Sequence, residues 1–480
     1  MFDSAHQGKN GQRGAIAIML ALMVIMLLGM MGMALDLAQL YNRQLELQHV
    51  ANAAALVAAR ELNGSSAGIA SAVSRAGTAA QRMKFQYNQA SVSWAPAAIS
   101  FGNTASGPWL DAGSAALAPD GLLFAKVDTS ALDASVGKVE MAFMQLISSA
   151  FATTPTGARA IAGRSTINVT PLGVCAMSAA PAAARDNGGG VVELVEFGFR
   201  RGVGYDLMQL NPNGTLAETF LIDPLDPPGS AAVPGNLATA IATPFVCSGT
   251  MAMTRVSGGT LALARPFPLA ALYTQLNSRF GVYTGALCQP DGAPPDTNVK
   301  TYPSTSIAWM STAPSGQSAL STTSGSKLWT VADPLPGLAG TSAAQYGPLW
   351  SAAKAVPFSS YVPGAMEPAN GYATYAASAW SSLYKPGSPA APSYPGTLPY
   401  RNTGGSYFLA PTVAPGTSNR RLLNVALLAC PVAAGSSATA NVLGIGRFFM
   451  TVPATATQLF AEFAGAVPEQ TLGGPVELYP

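Results

Sequence analysis

Gly14 to Leu35 (GAIAIMLALMVIMLLGMMGMAL) is a run of 22 residues without a charge, a hydroxyl or a side-chain amide. As a helix it reaches about 33 Å, which matches a hydrocarbon layer of about 30 Å. Inside lipid a helix also satisfies its backbone hydrogen-bonding groups internally. A cleaved secretory signal has an apolar core of only about 7–15 residues before a small-x-small cut site. Gly32-Met33-Ala34 offers such a triplet, but helical pattern resumes directly after it, so the run reads as a retained anchor. Lys9 and Arg13 precede the run and Asp36 is the first charge after it. Basic residues stay on the cytoplasmic side. The expectation is therefore a single-pass protein of a bacterial inner membrane. It has a cytoplasmic tail over 1–13, a transmembrane helix over 14–35 and a carboxyl-terminal body in the periplasm.

The helix should not stop at the lipid boundary, because Asp36 to Leu62 contains no Pro or Gly. Leu40, Leu47 and Ala54 recur every seven residues, with Leu37, Ala51 and Ala58 on the adjoining rung and Gln44 as a polar interruption. Asn63-Gly64 is the natural stop, which gives a membrane-proximal helix over 36–63 and a rod of about 75 Å in all. The seam would fit a second copy of the helix, making a homo-oligomer, or the chain's own body. Periodicity alone does not choose between them.

These residues resemble the amino-terminal segment of TadG-like proteins of the Flp, or tight-adherence (Tad), pilus-assembly system. The likeness is carried by Arg13-Gly14, Gly29 and Gly32, Leu35-Asp36-Leu37, Leu40-Tyr41, Leu45, Leu47-Gln48 and Ala51-Asn52-Ala53-Ala54-Ala55-Leu56. A weaker similarity covers Arg420 to Cys430, Phe448-Phe449-Met450-Thr451 and Phe460-Ala461-Glu462-Phe463. The resemblance implies a membrane-anchored scaffold or minor-pilin-like component aiding adhesion, with other Tad assembly proteins or pilin subunits as partners. Two features, one that some relatives carry and one of processed pilin-like precursors, are missing. Neither Asp128-Thr129-Ser130-Ala131-Leu132 nor Asp133-Ala134-Ser135-Val136-Gly137 completes a metal-binding D-x-S-x-S. Met19 stands where prepilin-peptidase substrates carry Glu.

Composition excludes much else. Charged residues make up 10% of the chain and the formal net charge is +2, so there is no electrostatic footprint for nucleic acid. The only histidines are His6 and His49, which leaves the rest of the chain without the imidazole that a Ser-His-Asp triad or an HExxH zinc site needs. Ser135-Val136-Gly137-Lys138, Ser324-Gly325-Ser326-Lys327 and Ser351-Ala352-Ala353-Lys354 match S-x-x-K without the companion K-T-G. Gly202-Val203-Gly204 begins a dinucleotide loop that lacks its third glycine. No catalytic residue, cofactor or metal site is expected. The alternative to a non-enzymatic role is an anchored carboxylate-based hydrolase using Glu193 with Glu196 or Asp223 with Asp226, or a glycan- or surface-binding adhesin.

Beyond the rod, residues 64–170 read as a small α+β region. Gly68–Asn88 is helical, and Ala125–Asp128 and Thr166–Thr170 are strand-like. Residues 171–480 read as a β-rich domain, with strands between Val191 and Leu210 and again from Arg420 to near Val467, and a modest helix over Ala270–Arg279. A Pro/Gly/Ser-rich insertion over about 303–417 carries Trp309, Trp329, Tyr346, Trp350, Tyr361, Tyr372, Tyr375, Trp380, Tyr384, Tyr394, Tyr400 and Tyr407. These rings either present a glycan-binding face or pin long loops on the body. The fold class is thus α+β: one amino-terminal helix, then a β-rich mixed ectodomain with long loops. Cys175, Cys247, Cys288 and Cys430 all follow the apolar run, where an oxidising compartment would give two disulfides. Three pairings are open, and a zinc site lacks any C-x-x-C.

Overall fold

The computed structural model describes residues 12–86, 89–310, 313–333, 342–384 and 394–479. The first eleven residues of the expected tail, with His6 and Lys9, lie outside them. The chain forms two units, one made of residues up to Arg164 together with Val476–Pro480, the other of Ser165–Pro475.

Helix α1 runs unbroken over Gln12–Glu61. It ends where the sequence places the stop, with Gly64 in the left-handed region (φ 76°), a conformation that costs glycine little. Its two halves have different surroundings. From Ile16 to Met31 every side chain is exposed, whereas Leu47, Val50, Ala51, Ala54, Ala55, Ala58 and Ala59 are fully buried. The second half packs on α2 (Ser66–Arg82), which contributes Ile69, Ala72, Ala76 and Ala80 to the same core. Small side chains on both helices permit this close approach. Ser65 starts α2 as its N-cap, its hydroxyl accepting from the Gly68 N–H at 3.0 Å. At the other end of α1, Arg164 donates to the carbonyl of Arg60 in the last turn and to that of Leu62 just after it.

The same face of α1 covers an antiparallel sheet ordered Val476–Tyr479, Arg159–Arg164, Phe124–Asp128, Ile99–Gly102 and Leu110–Asp111. The first of these strands differs from the sequence reading, which carries the β-rich body to residue 480. Val476 pairs with Arg164 and Tyr479 with Ile161, so the chain returns to the first unit, where the Tyr479 ring meets Phe124 edge-on. Helix α2 also stops earlier than Gly68–Asn88 suggests. Met83 turns extended, so that Phe85 enters the core with the Arg43 guanidinium 4.7 Å above its ring.

In the second unit a seven-stranded sheet holds, in order, Gly204–Asp206, Phe460–Val467, Ser437–Met450, Thr260–Ala264, Thr219–Ile222, Thr170–Cys175 and Leu422–Leu428. The last strand also pairs with Ser437–Met450, so five strands close on themselves. All the pairings are antiparallel except Leu422–Leu428 with Thr170–Cys175. Alternate side chains feed two apolar clusters, as a period of two requires. Leu423, Val425 and Leu427 join one, Ala426 and Leu428 the other; Leu221 joins the first, Phe220 and Ile222 the second.

Between Pro303 and Thr417 the described residues form 3₁₀ turns, a four-residue helix (Trp380–Leu383) and one hairpin, Ser321–Ser324 with Lys327–Thr330. Trp309, Tyr346, Trp350, Trp380 and Tyr384 belong to the larger apolar cluster and are buried. The Trp350 and Trp380 rings meet edge-on at 5.0 Å, and the Trp350 indole N–H donates to the Tyr384 hydroxyl at 2.6 Å. Of the two readings of the rings, packing that pins the loops on the body is what these two tryptophans show. The insertion has too few aliphatic side chains to anchor itself, and the rings supply that area.

Candidate functional site

The residues singled out along α1 separate by depth. Asp36, directly after the apolar run, is fully buried, and its Oδ2 accepts the backbone N–H groups of Phe143 (2.9 Å) and Met144 (2.7 Å). One turn earlier, a side chain at Gly32 would meet the Phe143 ring at 2.5 Å, so only glycine fits there. Tyr41 is exposed and Leu40 half-buried. Leu47 and Ala54 are enclosed by the chain's own first unit, with Ala51 and Ala58 beside them. Of the two partners that the seam left open, the chain's own body is the one that covers these four positions. The segment Met141–Phe151 was not singled out from the sequence. Its signal is the absence of any charge from Met141 to Ala158, with Phe143, Met144, Leu146 and Ile147 clustered inside.

The four cysteines close two bonds, Cys175–Cys430 and Cys247–Cys288. The first ties the paired parallel strands Thr170–Cys175 and Leu422–Leu428 at one end; the second ties the helix Thr239–Ser248 to the loop after Phe280. Glu218 lies beside Cys175, but with both sulfurs bonded no thiolate is left there to hold a metal.

The acidic pairs considered for hydrolysis are each engaged. Buried Glu193 receives Arg200 Nε at 2.9 Å and Asn187 Nδ2 at 3.3 Å. Glu196 receives Arg201 through two bonds, 2.6 and 2.9 Å. Arg201 also reaches Glu367 at 3.0 Å, and Arg447 stands 3.7 Å from the same carboxylate. Burial opposes the charge on Glu367, but Arg201 and Arg447 hold its pKa below the ordinary value. Asp223 caps a turn through the N–H groups of Leu225 (2.9 Å) and Asp226 (3.2 Å), and Asn236 Nδ2 bridges Asp223 and Asp226. These are the bonding patterns of structural carboxylates, each of which meets at least one donor.

Arg201, Lys354, Glu367, Tyr372, Arg401 and Arg447 border a cleft of about 870 Å³ in the second unit. Behind it Glu462 is fully buried and accepts the N–H groups of Ser351 (2.6 Å), Ala352 (2.8 Å) and Ala353 (2.7 Å). Burial pushes its pKa up to about 7 against the pull of those three donors. Of the S-x-x-K matches, Ser135 donates to Asp133, and Lys354 lies over the Tyr394 ring at 4.8 Å with its pKa lowered by burial; the side chain of Ser324 lies outside the described residues.

No curated protein and no solved structure matches the chain. A family model does match, over residues 14–61 within α1: that of the Tad, Flp pilus-assembly TadE/G-like, family.

Proposed function

We propose that this chain is a non-enzymatic, single-pass scaffold of Flp pilus assembly, anchored in the inner membrane by α1, with its tail in the cytoplasm and both folded units in the periplasm. The observation that carries the reading is the match of residues 14–61 to the TadE/G-like family. Three others support it. The first half of α1 is apolar, exposed and long enough to cross a bilayer. The basic residues Lys9 and Arg13 lie on one side of that stretch and Asp36 on the other. All four cysteines are disulfide-bonded, which suits an oxidising compartment. The anchor would fix the body at the membrane, and the disulfide-braced second unit would offer a weakly charged surface to pilin subunits or other assembly proteins.

Deleting the gene and counting pili by electron microscopy tests the role. The expected result is loss of pili, restored by the full chain but not by one in which residues 14–35 are replaced by a cleavable secretory signal. Normal pilus number after deletion would overturn the proposal. Recovery of the protein in sheared pili instead of membranes would replace the scaffold with a fibre subunit.

A further inference from the structure

We infer that the segment Met141–Phe151 is a second membrane contact, a short apolar collar that inserts into the bilayer surface around the point where α1 leaves it. The inference rests on α1 being the membrane anchor and goes beyond it, because it assigns lipid contact to a segment more than a hundred residues away in sequence.

The first argument is position. Phe143 packs on Gly32, which lies inside the apolar run and four residues, or about 6 Å, on the lipid side of Asp36. Asp36 fixes the segment there by accepting both the Phe143 and Met144 N–H groups through its Oδ2. If Gly14–Leu35 fills the hydrocarbon layer, Phe143 sits at its edge.

The second argument is chemistry. Phe143, Leu146, Ile147 and Phe151 are large apolar residues with 40%, 79%, 65% and 48% of their surface exposed, on a stretch with no charge between Glu140 and Arg159. Four such side chains held out together are costly in water and favourable in the interfacial zone of a bilayer.

The third is the backbone. Hydrocarbon tolerates only peptide groups that are already bonded. Phe143 and Met144 N–H donate to Asp36, and those of Gln145, Leu146, Ile147 and Ser148 donate to Met141, Phe143 and Met144 carbonyls through a tight turn. Six consecutive N–H groups are thus satisfied without water. A collar of this kind would hold the first unit against the membrane at a fixed tilt of α1, where a lone helix would leave it free to swivel.

Because the native cysteines are bonded, a single new thiol can be labelled. The full-length chain carrying Leu27→Cys, Leu146→Cys or Ser66→Cys is labelled with an environment-sensitive fluorophore. It is then reconstituted in vesicles of phosphatidylcholine and phosphatidylglycerol and titrated with doxyl-labelled lipid or aqueous iodide. Leu27 lies mid-run and Ser66 near the distal end of α1, and all three sites are exposed, so the fold is not disturbed. The expected result is strong lipid quenching at positions 27 and 146 and none at 66, with iodide quenching only 66. Lipid quenching at 27 with iodide quenching at 146 would overturn the collar and leave the anchor standing. Shielding of 146 from both quenchers would overturn it in favour of a protein partner. Absence of lipid quenching at 27 would remove the anchor itself.

Discussion

Replacing Glu193 by Gln separates a structural carboxylate from a chemical one. Glu193 is fully buried against Arg200, whose own guanidinium has no exposed surface, donates to the Leu383 carbonyl at 2.6 Å and lies 5.1 Å from the Tyr384 ring centroid. The variant leaves a buried cation without its counter-charge, a class of change that costs about 3–5 kcal/mol. The second unit spans about 310 residues, for which an unfolding entropy of about 2.1 cal/mol/K per residue converts that loss into a Tm drop of about 5–8 °C. The assay is thermal melting of the detergent-solubilised chain followed by near-ultraviolet circular dichroism. This cluster contributes to that signal, because Trp350 and Trp380 pack on Tyr384. Combining Glu193→Leu with Arg200→Met should recover at least half of the loss, because an apolar pair needs no counter-charge. A Tm unchanged by Glu193→Gln, or a double variant as unstable as the sum of its parts, would refute the reasoning.

Other expectations are as direct. Glu462 has a folded pKa near 7 against an ordinary 4.5, so the folded chain holds its proton more tightly between those values. The stability from this group is full below about pH 4.5 and is lost as pH rises through 7, by about 3 kcal/mol in all; denaturation curves across that range should show the slope in the native chain and lose it in Glu462→Gln. Removing the Cys175–Cys430 bond, which closes a separation of 255 residues, should cost more (about 5 kcal/mol) than removing Cys247–Cys288, with 41 (about 4 kcal/mol), as read from urea midpoints of the paired Cys→Ser variants. Asp36→Ala deprives two N–H groups of their acceptor, so hydrogen exchange at Phe143 and Met144 should accelerate about tenfold or more while the amides of α2 are unchanged.

What the sequence disclosed was local. An apolar run followed by a stretch from Asp36 to Leu62 without Pro or Gly, and a terminal Asn-Gly, give α1 and its end, and alternation gives the strands after Arg420. What it withheld depends on distant partners. The collar exists because Asp36 meets a segment 107 residues away, and no local pattern encodes that pairing. The parallel pairing of Thr170–Cys175 with Leu422–Leu428 joins strands some 250 residues apart, and the cysteine connectivity follows from it. The heptad of Leu47 and Ala54 is real but ambiguous: a stripe of small apolar residues is equally suited to another helix and to the sheet that covers it here. The carboxylates of Glu193 and Glu196 read as candidate acids until Arg200 and Arg201, a few residues on, fold back on them.

The account turns on α1 holding the folded units outside the cytoplasm. The most direct measurement is the fate of a carboxyl-terminal epitope tag in fractionated cells. The tag should stay in the membrane pellet through carbonate extraction, survive protease added to whole cells and be digested in spheroplasts. A tag recovered in the soluble fraction, or one protected in spheroplasts until the membrane is lysed, would contradict it.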